Sequence, residues 1–156
     1  MNTGFTSAPT HEVKIKHVLV VDDDIELSQT FKALLESQDY MVTIVTNGVD
    51  ALKLIMQMDV DVIICDLMMP QMAGDMFYMA VERVKPHLCQ RFIFITGYEG
   101  HPKFEEFLKK VNSVVLYKPV TPGKLLGTMH VLFARLSSSS KTQTTPRPSN
   151  TSWMSR

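Results

Sequence analysis

Five short apolar runs, separated by segments with helical spacing, constrain this chain more than any other feature. Residues 17–21 (HVLVV) are continuously apolar and stop at Asp22, Asp23 and Asp24. A run without alternation suits a strand buried on both faces. Ile25, Leu27, Phe31, Leu34 and Leu35 then recur at roughly helical spacing. Residues 40–45 read as a β-branched strand, and Asn47-Gly48 is a turn signal. Val49, Leu52, Ile55 and Met56 follow at helical spacing. Residues 60–65 (VDVIIC) form a third strand ending at Asp66, and 74–85 a helix up to Pro86. Residues 91–95 (RFIFI) form a fourth strand ending at Thr96, followed by a short helix over 104–111. Residues 114–117 form a fifth strand ending at Lys118, and 122–136 a last helix with proline in its first turn.

Strands that alternate with helices imply an α/β fold: a doubly wound, five-stranded parallel sheet with helices on both faces. In such sheets ligands gather beyond the carboxyl ends of the strands. Those ends carry Asp22, Asp23, Asp24, Asp66, Thr96 and Lys118. Carboxylates meeting at one edge repel, and each is harder to ionise unless a cation compensates. Mg²⁺ suits one or two protein carboxylates, backbone oxygens and retained waters. A lysine adds positive charge, a threonine hydroxyl adds a donor, and a carboxylate can serve as nucleophile to form an acyl phosphate. Together they make a site for phosphoryl transfer.

Composition narrows the classes further. Lys plus Arg and Asp plus Glu are 16 each, so a broadly basic nucleic-acid binder is disfavoured. No apolar run approaches the roughly 18–20 residues that span a bilayer. The amino terminus has no apolar core of a secretory signal. Cys65 and Cys89 give neither a disulfide framework nor a zinc spacing. A soluble protein of the reducing cytoplasm is expected. The chain divides into a flexible arm (1–16), one domain (17–136) and a tail (137–156). The tail is rich in Ser and Thr, carries Lys141, Arg147 and Arg156 without an acid, and reads as disordered. Trp153 within it is read as a solvated residue.

The stretches VLVVDDD (18–24) and DLMMPQMAG (66–74), with ITG at 95–97 and YKP at 117–119, resemble the receiver domain of two-component response regulators. Each motif is weak alone; all four at successive strand ends are specific, and the likeness covers residues 17–136. It implies a flavodoxin-like (βα)₅ fold. It implies that Asp23 holds Mg²⁺ directly and Asp22 through water, with the backbone carbonyl of Met68 as a further ligand. Asp66 would be the phosphoacceptor, taking a phosphoryl group from a histidine kinase or a histidine phosphotransfer protein. Thr96 and Lys118 would bind the phosphoryl oxygens. Gly97 would leave access to the acceptor, and Lys118-Pro119 could be a cis peptide.

Departures accompany the likeness. The family's switch aromatic falls at Val115 here, while Tyr117 stands next to Lys118. Met68 and Tyr98 occupy the positions that in this family admit or block the hydrolytic water, and they predict slow self-dephosphorylation. Asp24 reads as a helix cap or first-turn acid, and Cys65 as a small buried residue facing away from Asp66. Met69 and Met72 fit the family loop, and Met76 and Met79 are expected in the core. No DNA-binding output segment follows residue 136, so the expectation is a stand-alone receiver, monomeric or weakly dimeric. It would catalyse only its own phosphorylation and dephosphorylation, while its effector is unidentified. Two other classes remain. One is a phosphate-independent pseudo-receiver binding module, which Val115 favours. The other is a phosphatase of the haloacid dehalogenase type using Asp22-x-Asp24, which lacks room for a cap domain.

Overall fold

The computed structural model describes residues 13–97 and 99–140. The elements run β1 (His17–Val21), α1 (Ile25–Glu36), β2 (Met41–Val45), α2 (Gly48–Gln57), β3 (Val62–Asp66), α3 (Gly74–Val84), a 3₁₀ turn (Pro86–Arg91), β4 (Phe92–Thr96), α4 (Pro102–Val111), β5 (Val114–Tyr117) and α5 (Pro122–Ser140). The sheet is parallel throughout, in the order β2-β1-β3-β4-β5. The expected doubly wound (βα)₅ architecture is therefore present.

Strand alternation sorts the core into two layers. Leu19, Val21, Ile63, Cys65, Phe92 and Phe94 face one side, where Ala51 and Ile55 of α2, Phe77 of α3 and Phe104 of α4 cover them. Val18, Val20, Val62, Ile64, Ile93 and Ile95 face the other, under Phe31 and Leu35 of α1 and Leu125 and Met129 of α5. Because both faces are covered, the central strands β1, β3 and β4 are buried along their whole length. That explains their unbroken apolar sequences. The helices start on local chemistry. Asp24 caps α1 by accepting from the Leu27 amide at 3.0 Å, and Asn47 caps α2 by accepting from the Asp50 amide at 2.8 Å.

Several boundaries differ from the sequence reading. Strands β3 and β4 each take in their terminal polar residue, so Asp66 and Thr96 belong to the ladder. Helix α4 starts at Pro102, which tolerates the first helical position because its missing N–H has no partner to lose there. Helix α5 continues four residues past Leu136, and its serines bond back to carbonyls one turn earlier. Met76 and Met79 are not in the core: they are 50% and 47% exposed. The buried stripe of α3 is Gly74, Phe77, Tyr78 and Val81, and helical geometry leaves Met76 and Met79 outside it. The arm's residues 13–16 carry no regular structure. Residues 1–12, Tyr98 and 141–156, including the tail beyond Ser140, lie outside the described residues. Among the described residues no helix is long and apolar enough to cross a membrane.

Candidate functional site

The carboxyl ends of β1, β3, β4 and β5 bring the expected residues to one rim. Asp22 follows β1, and its amide donates to Val45 O at 3.1 Å, which ties it to the end of β2. Its side chain is buried, and Oδ1 accepts from the Asp24 amide at 2.9 Å. Asp66 closes β3 and is also buried; its Oδ1 accepts from the Met68 amide at 3.1 Å. Lys118 reaches both acids. Its Nζ donates to Asp66 Oδ2 at 3.1 Å and lies 3.3 Å from Asp22 Oδ2. Thr96 is buried at the end of β4, and its carbonyl accepts from the Lys118 amide at 2.8 Å. That bond sets Lys118 beside the acids as β5 ends.

Electrostatics follow from this geometry. Burial pushes the Asp22 carboxyl up to about 6; the Asp24 amide opposes that shift, Asp66 adds to it and Lys118 reduces it. Burial would lower the Lys118 ammonium, but the charges and hydrogen bonds of Asp66 and Asp22 outweigh it and raise the group. Oxygens of Asp22, Asp23 and Asp66 come within 4.8 Å of one another, and Asp23 is exposed. Three carboxylates face one ammonium, so negative charge remains uncompensated at the rim. An all-oxygen donor set with that excess fits a hard divalent cation.

The remaining expected residues divide. Met68 is 39% exposed beside Asp66. Gly97 is exposed, and a Cβ there would meet nothing within 4 Å, so the approach to Asp66 is open on that side. Asp23, Asp24, Asp66, Met68, Gly97 and Lys118 line one shallow depression. The Lys118-Pro119 peptide is cis. Val115 is not at the rim: it pairs in register with Phe94 and packs into the core layer under α4. Tyr117 pairs with Thr96 and is 42% exposed. Cys65 lies in the core layer that α2, α3 and α4 cover, and burial pushes its thiol well above its usual range.

Sequence reasoning quoted Gly74 without giving it a role. A Cβ on Gly74 would stand 2.5 Å from the Asp66 carbonyl oxygen, so the start of α3 approaches the main chain of Asp66 too closely for any side chain there. Gly48 is the counterpart on α2, where a Cβ would meet Met72 Cγ at 2.9 Å. The signal for both was a glycine at the first position of a helix, where other residues would cap or start it equally well.

Residues 18–130 match the family described as response regulator receiver domain. The response regulator SaeR of Staphylococcus epidermidis is 32% identical over 124 residues, covering 79% of this chain and 52% of that protein. The transcriptional regulatory protein ZraR of Klebsiella oxytoca is 32% identical over 129 residues, 81% of this chain and 29% of that protein. The chain thus spans about half the length of the first relative, and less of the second. Among solved structures, the chemotaxis protein CheY4 of Vibrio cholerae superposes with a TM-score of 0.69 at 31% identity, covering 76% of this chain and 99% of that one. A CheY-like receiver domain protein of Methanospirillum hungatei gives 0.72 at 25% identity, over 82% and 98%.

Proposed function

Because the chain belongs to the family of response regulator receiver domains, we propose that it is the phospho-accepting switch of a two-component or phosphorelay system, with Asp66 as acceptor. The observation that carries this is Lys118 Nζ held between Asp66 at 3.1 Å and Asp22 at 3.3 Å, on an open rim. A merely structural ion pair has no need of a third carboxylate, Asp23, beside it.

The chemistry assigned to these residues balances as follows. An Asp66 carboxylate oxygen attacks the phosphorus of a phosphohistidine. The phosphorus–nitrogen bond breaks, its electron pair returns to the imidazole, and Asp66 becomes a mixed anhydride. Lys118 and the Thr96 hydroxyl then donate to phosphoryl oxygens, offsetting charge that builds in the transition state. Asp22, Asp23, Asp66 and the Met68 carbonyl would hold Mg²⁺, which when bound supplies charge neutralisation that one ammonium cannot. Partners on this reading are a histidine kinase or histidine phosphotransfer protein, and an effector that reads the phosphorylated surface. The protein modifies itself and turns over no separate substrate. Its setting on this reading is the cytoplasm, and it needs no nucleic-acid contact of its own.

The test is intact mass after incubation with Mg²⁺ and acetyl phosphate, for the wild type and Asp66→Asn. A gain of one phosphoryl group in the wild type alone, prevented by EDTA, is the expected result. No gain in a folded sample that binds Mg²⁺ would favour a phosphate-independent binding module.

A further inference from the structure

Among the described residues that line the depression around Asp66, Met68 alone carries sulfur. It is 39% exposed, and its amide donates to Asp66 Oδ1 at 3.1 Å, which ties it to the acceptor two positions away. A thioether needs no deprotonation to react, so peroxide attacks its sulfur wherever solvent reaches it. The thiols are protected by contrast. Cys65, next to Asp66 in the chain, is fully buried, and burial pushes its thiol well above the usual range, which removes the reactive thiolate. Burial raises Cys89 as well, and it lies outside the depression. Met69 and Met72 of the same loop are partly buried against the core. Met41, Met56, Met58, Met76 and Met79 are comparably exposed, but none of them lines the depression.

We propose, resting on Asp66 as acceptor, that Met68 is a peroxide-sensitive modification site whose sulfoxide shortens the lifetime of the phosphoryl group. The oxidation balances with one hydrogen peroxide. The sulfur lone pair forms a bond to one peroxide oxygen and the oxygen–oxygen bond breaks. The released hydroxide takes the proton of the transferred hydroxyl and leaves as water. An apolar atom at the rim is thereby replaced by a polarised sulfur–oxygen group. The sulfoxide oxygen is a strong hydrogen-bond acceptor, whereas the thioether is a weak one. The rim is open on the Gly97 side, so water reaches it. Water that donates to the sulfoxide is held beside the phosphoryl group, which raises its effective concentration there. Its oxygen attacks phosphorus, and the bond from phosphorus to the Asp66 oxygen breaks. Inorganic phosphate leaves, the Asp66 carboxylate is restored, and the water's proton passes to solvent. Peroxide thus resets the switch, and reduction of the sulfoxide restores slow loss.

The full chain is treated with hydrogen peroxide, quenched with free methionine, and mapped by peptide mass to locate the added oxygens. Treated and untreated protein are then phosphorylated with acetyl phosphate and Mg²⁺, freed of the donor, and followed by intact mass. The expected result is a several-fold faster loss of the phosphoryl group after oxidation, returned to the slow rate by methionine sulfoxide reductase. Met68→Leu has no sulfur at the rim, so peroxide does not alter its rate although Met76 and Met79 are oxidised as in the wild type. Met68→Asn is polar without oxidation, so peroxide adds nothing to its rate either. An unchanged wild-type lifetime with the sulfoxide confirmed at Met68 overturns the proposal, as does a peroxide effect that survives in Met68→Leu. So does a Met68 that resists oxidation while Met76 and Met79 react. Untreated protein that takes up no phosphoryl group fails at the acceptor itself and takes this proposal with it. Normal uptake with a lifetime indifferent to peroxide overturns this proposal alone.

Discussion

Gly74 and Asp66 are in such close apposition that a single added methyl group on Gly74 would stand 2.5 Å from the Asp66 carbonyl oxygen and 3.0 Å from Leu67 Cα. Both obstacles are main chain, so no side-chain rotation relieves them. The start of α3 is therefore packed directly against the end of β3. Gly74→Ala is expected to destabilise the domain by about 1–3 kcal/mol, as overpacked sites do. It should also slow phosphorylation of Asp66 by acetyl phosphate. Urea unfolding and a phosphorylation time course check the two effects; a variant of unchanged stability and rate would show that α3 moves freely away.

The raised Asp22 carboxyl has a pH signature. A carboxyl that holds its proton more tightly folded than unfolded costs the folded state stability as it ionises. In metal-free protein this group therefore removes stability as pH rises from its unfolded value, 3.8, to about 6. The shift corresponds to up to roughly 3 kcal/mol. Asp22→Asn should abolish that slope. Protons and Mg²⁺ compete for Asp22, so calorimetric Mg²⁺ affinity should climb with pH up to about 6 and then level. An affinity flat between pH 5 and 7 would refute this.

Lys118 and Asp66 should respond oppositely to neutralisation. Lys118→Ala leaves two buried carboxylates without their ammonium, and the expected loss is about 2 kcal/mol at neutral pH. That is below the cost of breaking a fully buried pair, because the Lys118 side chain is 26% exposed. Asp66→Asn removes one of the repelling charges, so metal-free stability should hold or rise while phosphorylation is lost. Thermal melts of the two variants decide the order.

Met68 bears on the lifetime of the phosphoryl group. Its amide already bonds Asp66 Oδ1 and its apolar side chain stands half exposed at the rim. It gives a hydrolytic water no polar partner there. Slow self-dephosphorylation is expected, and Met68→Asn should accelerate it. Loss of label followed by intact mass measures both; a wild-type lifetime of seconds would sink the idea.

The sequence by itself determined the order of strands and helices and the chemistry at each strand end. Unbroken runs such as 92–95 suit a strand buried on both faces, and Asp22, Asp66 and Thr96 stop such runs, while Lys118 follows the half-buried edge strand β5. Periodicity placed elements to within a few residues but misjudged Met76 and Met79. A methionine's hydrophobicity does not say which arc of a helix faces the sheet, and here Phe77, Tyr78 and Val81 took that arc. Only the tertiary structure decided which strands are neighbours, and hence that Lys118, 52 positions from Asp66, bonds it rather than solvent. It alone revealed how closely Gly74 approaches Asp66 and that Met68 lines the depression around it. Such relations arise where segments distant in the chain are packed to contact. No local pattern of residues records a distance between segments that meet only after the chain has closed on itself.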